Sequence, residues 1–161
     1  MVFPLDILPV VSLASALFNA AVGTVVLIVI TFVLGTPISW KIIYLPIILL
    51  PVLLLTLGVA WFLASLGVYV RDTAQIVALA VTALMFFSPI FYPAQMLPEV
   101  WRSVLYANPL SMPIEQARDA ILFGQTPDVA ALAVAAAAGL VIAWLGWLWF
   151  EKTRKGFADV L

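Results

Sequence analysis

Residues 129–150 read VAALAVAAAAGLVIAWLGWLWF and contain no charged side chain. An α-helix of about 20 apolar residues is long enough to cross the hydrocarbon core of a bilayer. The run is too long for an ordinary strand, and it does not alternate polar with apolar residues as a strand of a membrane barrel does. A helix also satisfies its own backbone hydrogen bonds inside lipid. The stretch therefore predicts a membrane-spanning helix.

Three more uncharged runs precede this one, at residues 7–40, 42–70 and 73–98. Only 9% of the 161 residues are charged and 66% are hydrophobic, whereas a soluble domain is about 25% charged. We therefore predict an all-α integral membrane protein that forms a single transmembrane domain over residues 1–161. Its four transmembrane helices are expected at about residues 11–34, 47–70, 75–92 and 129–150.

The segment 93–128 is the one long stretch outside the predicted spans. Pro98 is suited to the first turn of a helix, and Asn108 is suited to the cap of a second one. Gly124 is a plausible stop for that second helix. We predict two short interfacial or re-entrant helices before the last span.

The positions of Lys and Arg predict the orientation of the chain. The tail 151–161 carries Lys152, Arg154 and Lys155, whereas the segment 93–128 has a net charge of −2. Positive charge favours the cytoplasmic side of a membrane. The tail and the N-terminus are therefore expected in the cytoplasm and the segment 93–128 outside.

The composition argues against several classes of function. The chain has no His and no Cys, so we expect no metal site and no cofactor. The predicted spans lack ionisable groups, which argues against a proton relay, an ion-coupled carrier or an intramembrane protease. A net charge of −1 offers no basic surface for nucleic acid. No residue is expected to be catalytic, and there is no phosphate-binding loop for ATP hydrolysis.

Aromatic residues gather around the end of the third predicted span. They anchor helices at the lipid interface, or they line an exit whose rings slide against the faces of sugars. The residues that would line such a substrate path are Phe87, Phe91, Tyr92, Trp101 and Tyr106.

Other patterns have both a structural and a functional interpretation. Small residues four apart in the last span (Ala135, Gly139, Ala143) and a similar set in the second (Ala60, Ala64, Gly67) favour close helix contacts, within the chain or with a second copy. The pair Arg71 and Asp72 is either a solvated turn or a contact point for a cytoplasmic partner. The pairs Glu99/Arg102 and Glu115/Arg118, each three residues apart, suggest surface ion pairs.

A series of short motifs runs along nearly the whole chain in a characteristic order and spacing. It resembles the membrane subunit of ABC-type exporters for lipopolysaccharide O-antigen, capsule and teichoic acid. The motifs are VFPLDILP at residues 2–9, YVRDT at 69–73, SPIFYP at 88–93, NPL at 108–110, and Arg118 followed six residues later by Gly124.

This resemblance implies a bacterial inner-membrane permease with six spans per subunit, a homodimer and a separate ATP-binding subunit. It also implies re-entrant helices on the external side and places Arg71 and Asp72 near the ATP-binding subunit. The family's N-terminal amphipathic helix and its first two spans have no counterpart in the 161 residues.

The sequence thus predicts a permease subunit that exports lipid-linked polysaccharide across the cytoplasmic membrane. The alternatives are an inactive or split permease fragment, a drug-exporting ABC permease and a membrane-embedded enzyme acting on lipids or polyprenols. Such an enzyme would have to use the acidic residues of the segment 93–128, which are Glu99, Glu115, Asp119 and Asp128.

Overall fold

The computed structural model describes residues 6–35, 38–70 and 72–159. These residues form helices joined by turns and contain no strand, which confirms the all-α prediction. Short 3₁₀ helices lie at Trp40–Tyr44, Ala94–Met96 and Arg154–Asp159. The six α-helices are α1 (Ile7–Val33), α2 (Leu45–Tyr69), α3 (Thr73–Phe86), α4 (Glu99–Ala107), α5 (Ser111–Leu122) and α6 (Val129–Thr153).

Three helices of the described chain, α1, α2 and α6, are long and apolar enough to cross a membrane. Helix α3 has 14 residues and so a length of about 21 Å, less than the roughly 30 Å of a hydrocarbon core. The expectation of a helix reaching residue 92 is therefore wrong. Pro89 has no N–H and disfavours helical backbone at Ser88, so the helix ends before it.

Helices α2 and α6 pack backbone against backbone at glycines. A Cβ atom on Gly58 would lie 2.5 Å from the Ile142 carbonyl oxygen, and one on Gly139 would lie 3.0 Å from the Pro51 carbonyl oxygen. Gly146 faces Gly58 directly. Gly139, Ala143 and Gly146 of α6 therefore contact α2 of the same chain, as small residues do between helices in lipid.

The small residues predicted on α2 have a different place. Ala60, Ala64 and Gly67 line a groove bordered by the starts of α1 and α3, and a Cβ atom on Gly67 would meet nothing within 4 Å. The face that α2 presents to α6 instead contains Pro51, Leu54 and Gly58. The spacing of small residues along α2 therefore did not reveal which face packs against α6.

The bundle has two ends with different contacts. We call the end that contains Asp6 the Asp6 end. There the Trp61 indole N–H donates to the Asp6 carbonyl oxygen (3.0 Å), and the Tyr69 hydroxyl donates to the Thr153 carbonyl oxygen (2.8 Å). A guanidinium nitrogen of Arg154 lies 3.8 Å from the Asp6 carboxylate. The start of α1 and the end of α6 are therefore on the same side of the bundle.

The opposite end, here the α5 end, is built around helix α5. The Ser39 N–H donates to the Ile121 carbonyl oxygen (3.1 Å), and Ala120 packs in a buried core with Ile48 and Leu132. The sequence places the stop of α5 correctly, since Gly124 follows it with a φ of +61°. Its start is two residues later than a cap at Asn108 predicts, because the Asn108 carboxamide oxygen accepts from the Leu110 N–H (3.0 Å) in a turn.

The two ends should react with an impermeant thiol reagent from opposite sides of the membrane. Gln125 is exposed at the α5 end and Lys155 at the Asp6 end, and the natural chain has no cysteine to interfere. In right-side-out vesicles, Gln125→Cys should be labelled at once and Lys155→Cys only after permeabilisation. A cysteine at buried Leu132 serves as the unreactive control. Labelling of both exposed positions from one side would contradict the orientation.

Candidate functional site

Residues 87–98 form the turn between α3 and α4, which we call the α3–α4 turn. Its backbone is held by Asn108, a residue in the connection immediately before α5. Ser88 and Pro89 are fully buried. The Ser88 hydroxyl donates to the Leu84 carbonyl oxygen (2.6 Å) and accepts from the Asn108 carboxamide nitrogen (2.9 Å), which also donates to the Phe87 carbonyl oxygen (3.3 Å). The end of α3 is therefore joined to the α4–α5 connection by polar contacts.

Two charged residues of α5 hold the same turn. A guanidinium nitrogen of Arg118 donates to the carbonyl oxygens of Pro89 and Ile90, the latter at 3.1 Å. The Glu115 carboxylate accepts from the Ala94 N–H at 3.3 Å. The expectation of a Glu115–Arg118 ion pair is therefore wrong, because both side chains bond to the backbone of the turn.

This network leaves the predicted aromatic rings facing outward. Phe91 is 70% exposed and Phe87 is 57% exposed, because the turn is held through backbone groups and the Ser88 hydroxyl and not through these rings. Tyr92 is half-buried and its hydroxyl donates to the Phe86 carbonyl oxygen (3.0 Å). The structure thus brings three of the five predicted path residues onto one fixed turn.

The other two predicted path residues lie on α4. Trp101 and Tyr106 are each more than half exposed, and the five rings form no ring pair with one another. Partial burial of the hydroxyl, and then a hydrogen bond to the Glu115 carboxylate, raise the pKa of Tyr106. Tyr106 therefore stays neutral and keeps its proton as a hydrogen-bond donor.

The structure describes one of the two residues predicted to contact a cytoplasmic partner. Arg71 lies outside the described residues. Asp72 is exposed immediately before α3, and its side chain makes no capping hydrogen bond. It follows the end of α2 by three residues and so lies at the Asp6 end.

Sequence reasoning did not identify the residues that fix the α3–α4 turn. Ser88 lies within an uncharged run, and Asn108 has the usual features of a helix cap. Arg118 and Glu115 have the spacing of a surface ion pair. The available signal was the concentration of polar residues in a segment otherwise rich in aromatic and proline residues. Within the described residues, no group of three or more acidic side chains is arranged to hold a metal ion.

A family model described as ABC-2 type transporter matches residues 1–122 of the chain. This chain belongs to the ABC-2 type transporter family. The match ends at the last residue of α5, so it includes the α3–α4 turn together with Asn108, Glu115 and Arg118. The resemblance drawn from the motifs is thereby confirmed.

Curated relatives of this ABC-2 chain carry a common name. An O-antigen export system permease protein RfbA from Myxococcus xanthus is 28% identical over 159 residues, covering 98% of this chain and 61% of that relative. A protein of the same name from Klebsiella pneumoniae is 27% identical over 162 residues, covering 99% and 62%. The ABC-2 chain therefore spans about three-fifths of the length of the curated relatives it matches.

Proposed function

We propose that this ABC-2 chain is a permease subunit that exports a lipid-linked polysaccharide across the bacterial cytoplasmic membrane. The glycan would be of the O-antigen, capsule or teichoic acid type. The observation that carries the proposal is the similarity over 98% of the chain to a protein named for O-antigen export. The exposed rings of the α3–α4 turn support it, since they offer a polymer apolar surface without fixed charge.

The geometry suggests how such a polymer would leave the membrane. A sugar ring is polar along its edges and apolar on its faces, so an aromatic side chain can stack on it without requiring one particular sugar. Stacking of this kind, which is known for polymers of bases, tolerates variation in sequence. Phe87 and Phe91 would serve this purpose best on a backbone that does not move, and the contacts of Ser88 and Arg118 hold that backbone.

The energy for export would come from another polypeptide. The chain has no phosphate-binding loop, and family membership implies an ATP-binding partner. We propose that this partner docks at the Asp6 end, near Arg71 and Asp72, and that two permease copies form the path.

Cross-linking from a cysteine at position 72 to the ATP-binding subunit, with Gln125→Cys as the distant control, would test the docking site. Equal cross-linking from both positions would contradict it.

Interrupting the reading frame in the encoding bacterium tests the proposed function. Export should stop, so that lipid-linked glycan accumulates on the inner face of the membrane and disappears from the cell surface. Glycan at both locations can be measured after separating the membranes. Unchanged surface glycan would contradict the proposal, and a changed drug sensitivity with normal glycan would favour the drug-exporting alternative.

Phe91→Ala should slow export several-fold while leaving the amount of protein in the membrane near normal. The reason is that the ring is exposed and the backbone beneath it is fixed by other residues. The matched control is Phe32→Ala, which removes an 84% exposed ring near the end of α1. Export is to be measured per folded complex. Equal effects of the two substitutions, or loss of protein rather than of export, would show that Phe91 serves only as an interfacial anchor.

A further inference from the structure

Helix α5 has two faces with different surroundings. Its apolar face places Met112, Ala117 and Ala120 against the starts of α2 and α6. The other face borders a cavity of about 500 Å³, and a second cavity of about 200 Å³ adjoins it. Asp119 and Gln125 line both cavities, so the two form one polar depression at the α5 end, here the polar cavity.

The lining of the polar cavity is suited to a ligand rich in hydroxyl groups. Asp119 and Glu115 offer carboxylate oxygens, which accept hydrogen bonds, and Gln125 offers a carboxamide that both donates and accepts. Phe123 adds an exposed aromatic ring at the edge. Polar groups beside an aromatic surface are what a sugar needs for its hydroxyl edge and its apolar face.

We propose that the polar cavity binds sugar residues of the emerging glycan and favours uncharged sugars. Its size lies in the range of about 300–1,000 Å³ that is usual for small-ligand sites. Three carboxylates, from Glu115, Asp119 and Asp128, outnumber the single guanidinium of Arg118, so uronic acids and phosphate-bearing sugars would be repelled. Among the three proposed glycan types, the cavity therefore favours an uncharged O-antigen over acidic capsules and phosphate-containing teichoic acids. The identity of the ligand as part of the exported polymer rests on the proposed function.

The polar cavity and the exposed rings are connected through one residue. Arg118 lines the cavity and also bonds to the α3–α4 turn that carries Phe91. A glycan passing over the turn would therefore reach the cavity on the same side of the bundle. The rings would provide stacking without selectivity, and the cavity would provide the selectivity.

Saturation-transfer NMR on the full chain in lipid nanodiscs tests this proposal. The probe is maltotriose, a neutral trisaccharide, and its acidic counterpart is trigalacturonic acid. Maltotriose should receive saturation from the protein and trigalacturonic acid much less. Asp119→Ala should weaken maltotriose binding about tenfold, the effect of one good hydrogen bond to a charged group. Gln125→Met, which removes the carboxamide that lines both cavities, should weaken it as well.

The matched control is Glu99→Gln, which removes an external carboxylate outside the polar cavity. Absence of saturation transfer to maltotriose, equal effects of Asp119→Ala and Glu99→Gln, or preference for the acidic probe would each overturn the proposal.

The sugar-site proposal and the export proposal can fail separately. If maltotriose binds as expected but interrupting the gene leaves export intact, the cavity is a sugar site and the export function is wrong. If export depends on the gene but maltotriose does not bind, only the sugar site is wrong.

Discussion

Replacing Gly146 with alanine should separate α2 from α6 and destabilise the folded chain by about 1–3 kcal/mol or more, as overpacking of a tight interface does. The added Cβ atom would meet the carbonyl group of Gly58, with the Gly58 carbonyl carbon at 2.8 Å and its Cα atom at 2.9 Å. These are backbone atoms, and they cannot rotate away as a flexible side chain could. The helices have to move apart, and the packing around Ala143 and Phe150 is weakened with them.

Two other helical glycines provide matched controls for this substitution. A Cβ atom on Gly23 or on Gly67 would meet nothing within 4 Å. Alanine there should be neutral or stabilising by up to about 1 kcal/mol, because alanine favours the helix over glycine. Unfolding of the purified chain by SDS in mixed micelles, followed by circular dichroism, measures all three. A Gly146→Ala variant as stable as Gly67→Ala would show that the α2–α6 contact is looser than described.

Replacing Arg118 with methionine should release the α3–α4 turn and reduce export by about an order of magnitude. Methionine keeps an unbranched apolar stem in place of the arginine stem, but the carbonyl oxygens of Pro89 and Ile90 lose their charged donor. Hydrogen bonds to charged groups contribute about 1.5–3 kcal/mol, enough to raise the open population of the turn tenfold or more. The rings of Phe87 and Phe91 would then be carried on a mobile backbone.

Amide hydrogen exchange separates this effect from a loss of ligand contacts. In the variant, exchange should accelerate at Ile90 and Ala94 while the amides of α2 and α6 remain protected. Glu99→Gln is the control on the same side of the bundle and should alter neither exchange nor export. If the amides of the turn exchange at the same rate with and without the guanidinium, Arg118 does not hold the turn.

Charge-free length was sufficient to predict most of the membrane helices. Helices α1, α2 and α6 fall within the runs at residues 7–40, 42–70 and 129–150, apart from the last turn of α6. The end of α3 was predicted less well. The uncharged run that contains α3 continues to residue 98, so charge alone does not show that the helix stops earlier, and Pro89 is a local signal for that stop. An apolar, uncharged composition predicts where a membrane helix can continue, whereas a local backbone restriction such as that of proline determines where it ends.

The candidate site was predictable only in its exposed part. The aromatic rings are visible in the sequence because their type and clustering are unusual. The contacts beneath them join residues about 20 to 29 positions apart, such as Ser88 with Asn108 and Pro89 with Arg118. Spacing within one helix cannot indicate such contacts, since they depend on how the α3–α4 turn meets α5 and Asn108. The same reason explains why Glu115 and Arg118 suggested an ion pair that does not form.

The glycine contact between α2 and α6 also constrains the order in which the protein can mature during synthesis. Helix α2 leaves the ribosome long before α6, because α3, α4 and α5 are made in between. Throughout that interval, the backbone of α2 around Gly58 lacks the α6 backbone that covers it in the folded chain. We expect the newly inserted protein to remain loosely assembled until α6 enters the membrane. Membrane proteases and insertion chaperones would therefore distinguish nascent from finished chains by whether the Gly58 face is covered.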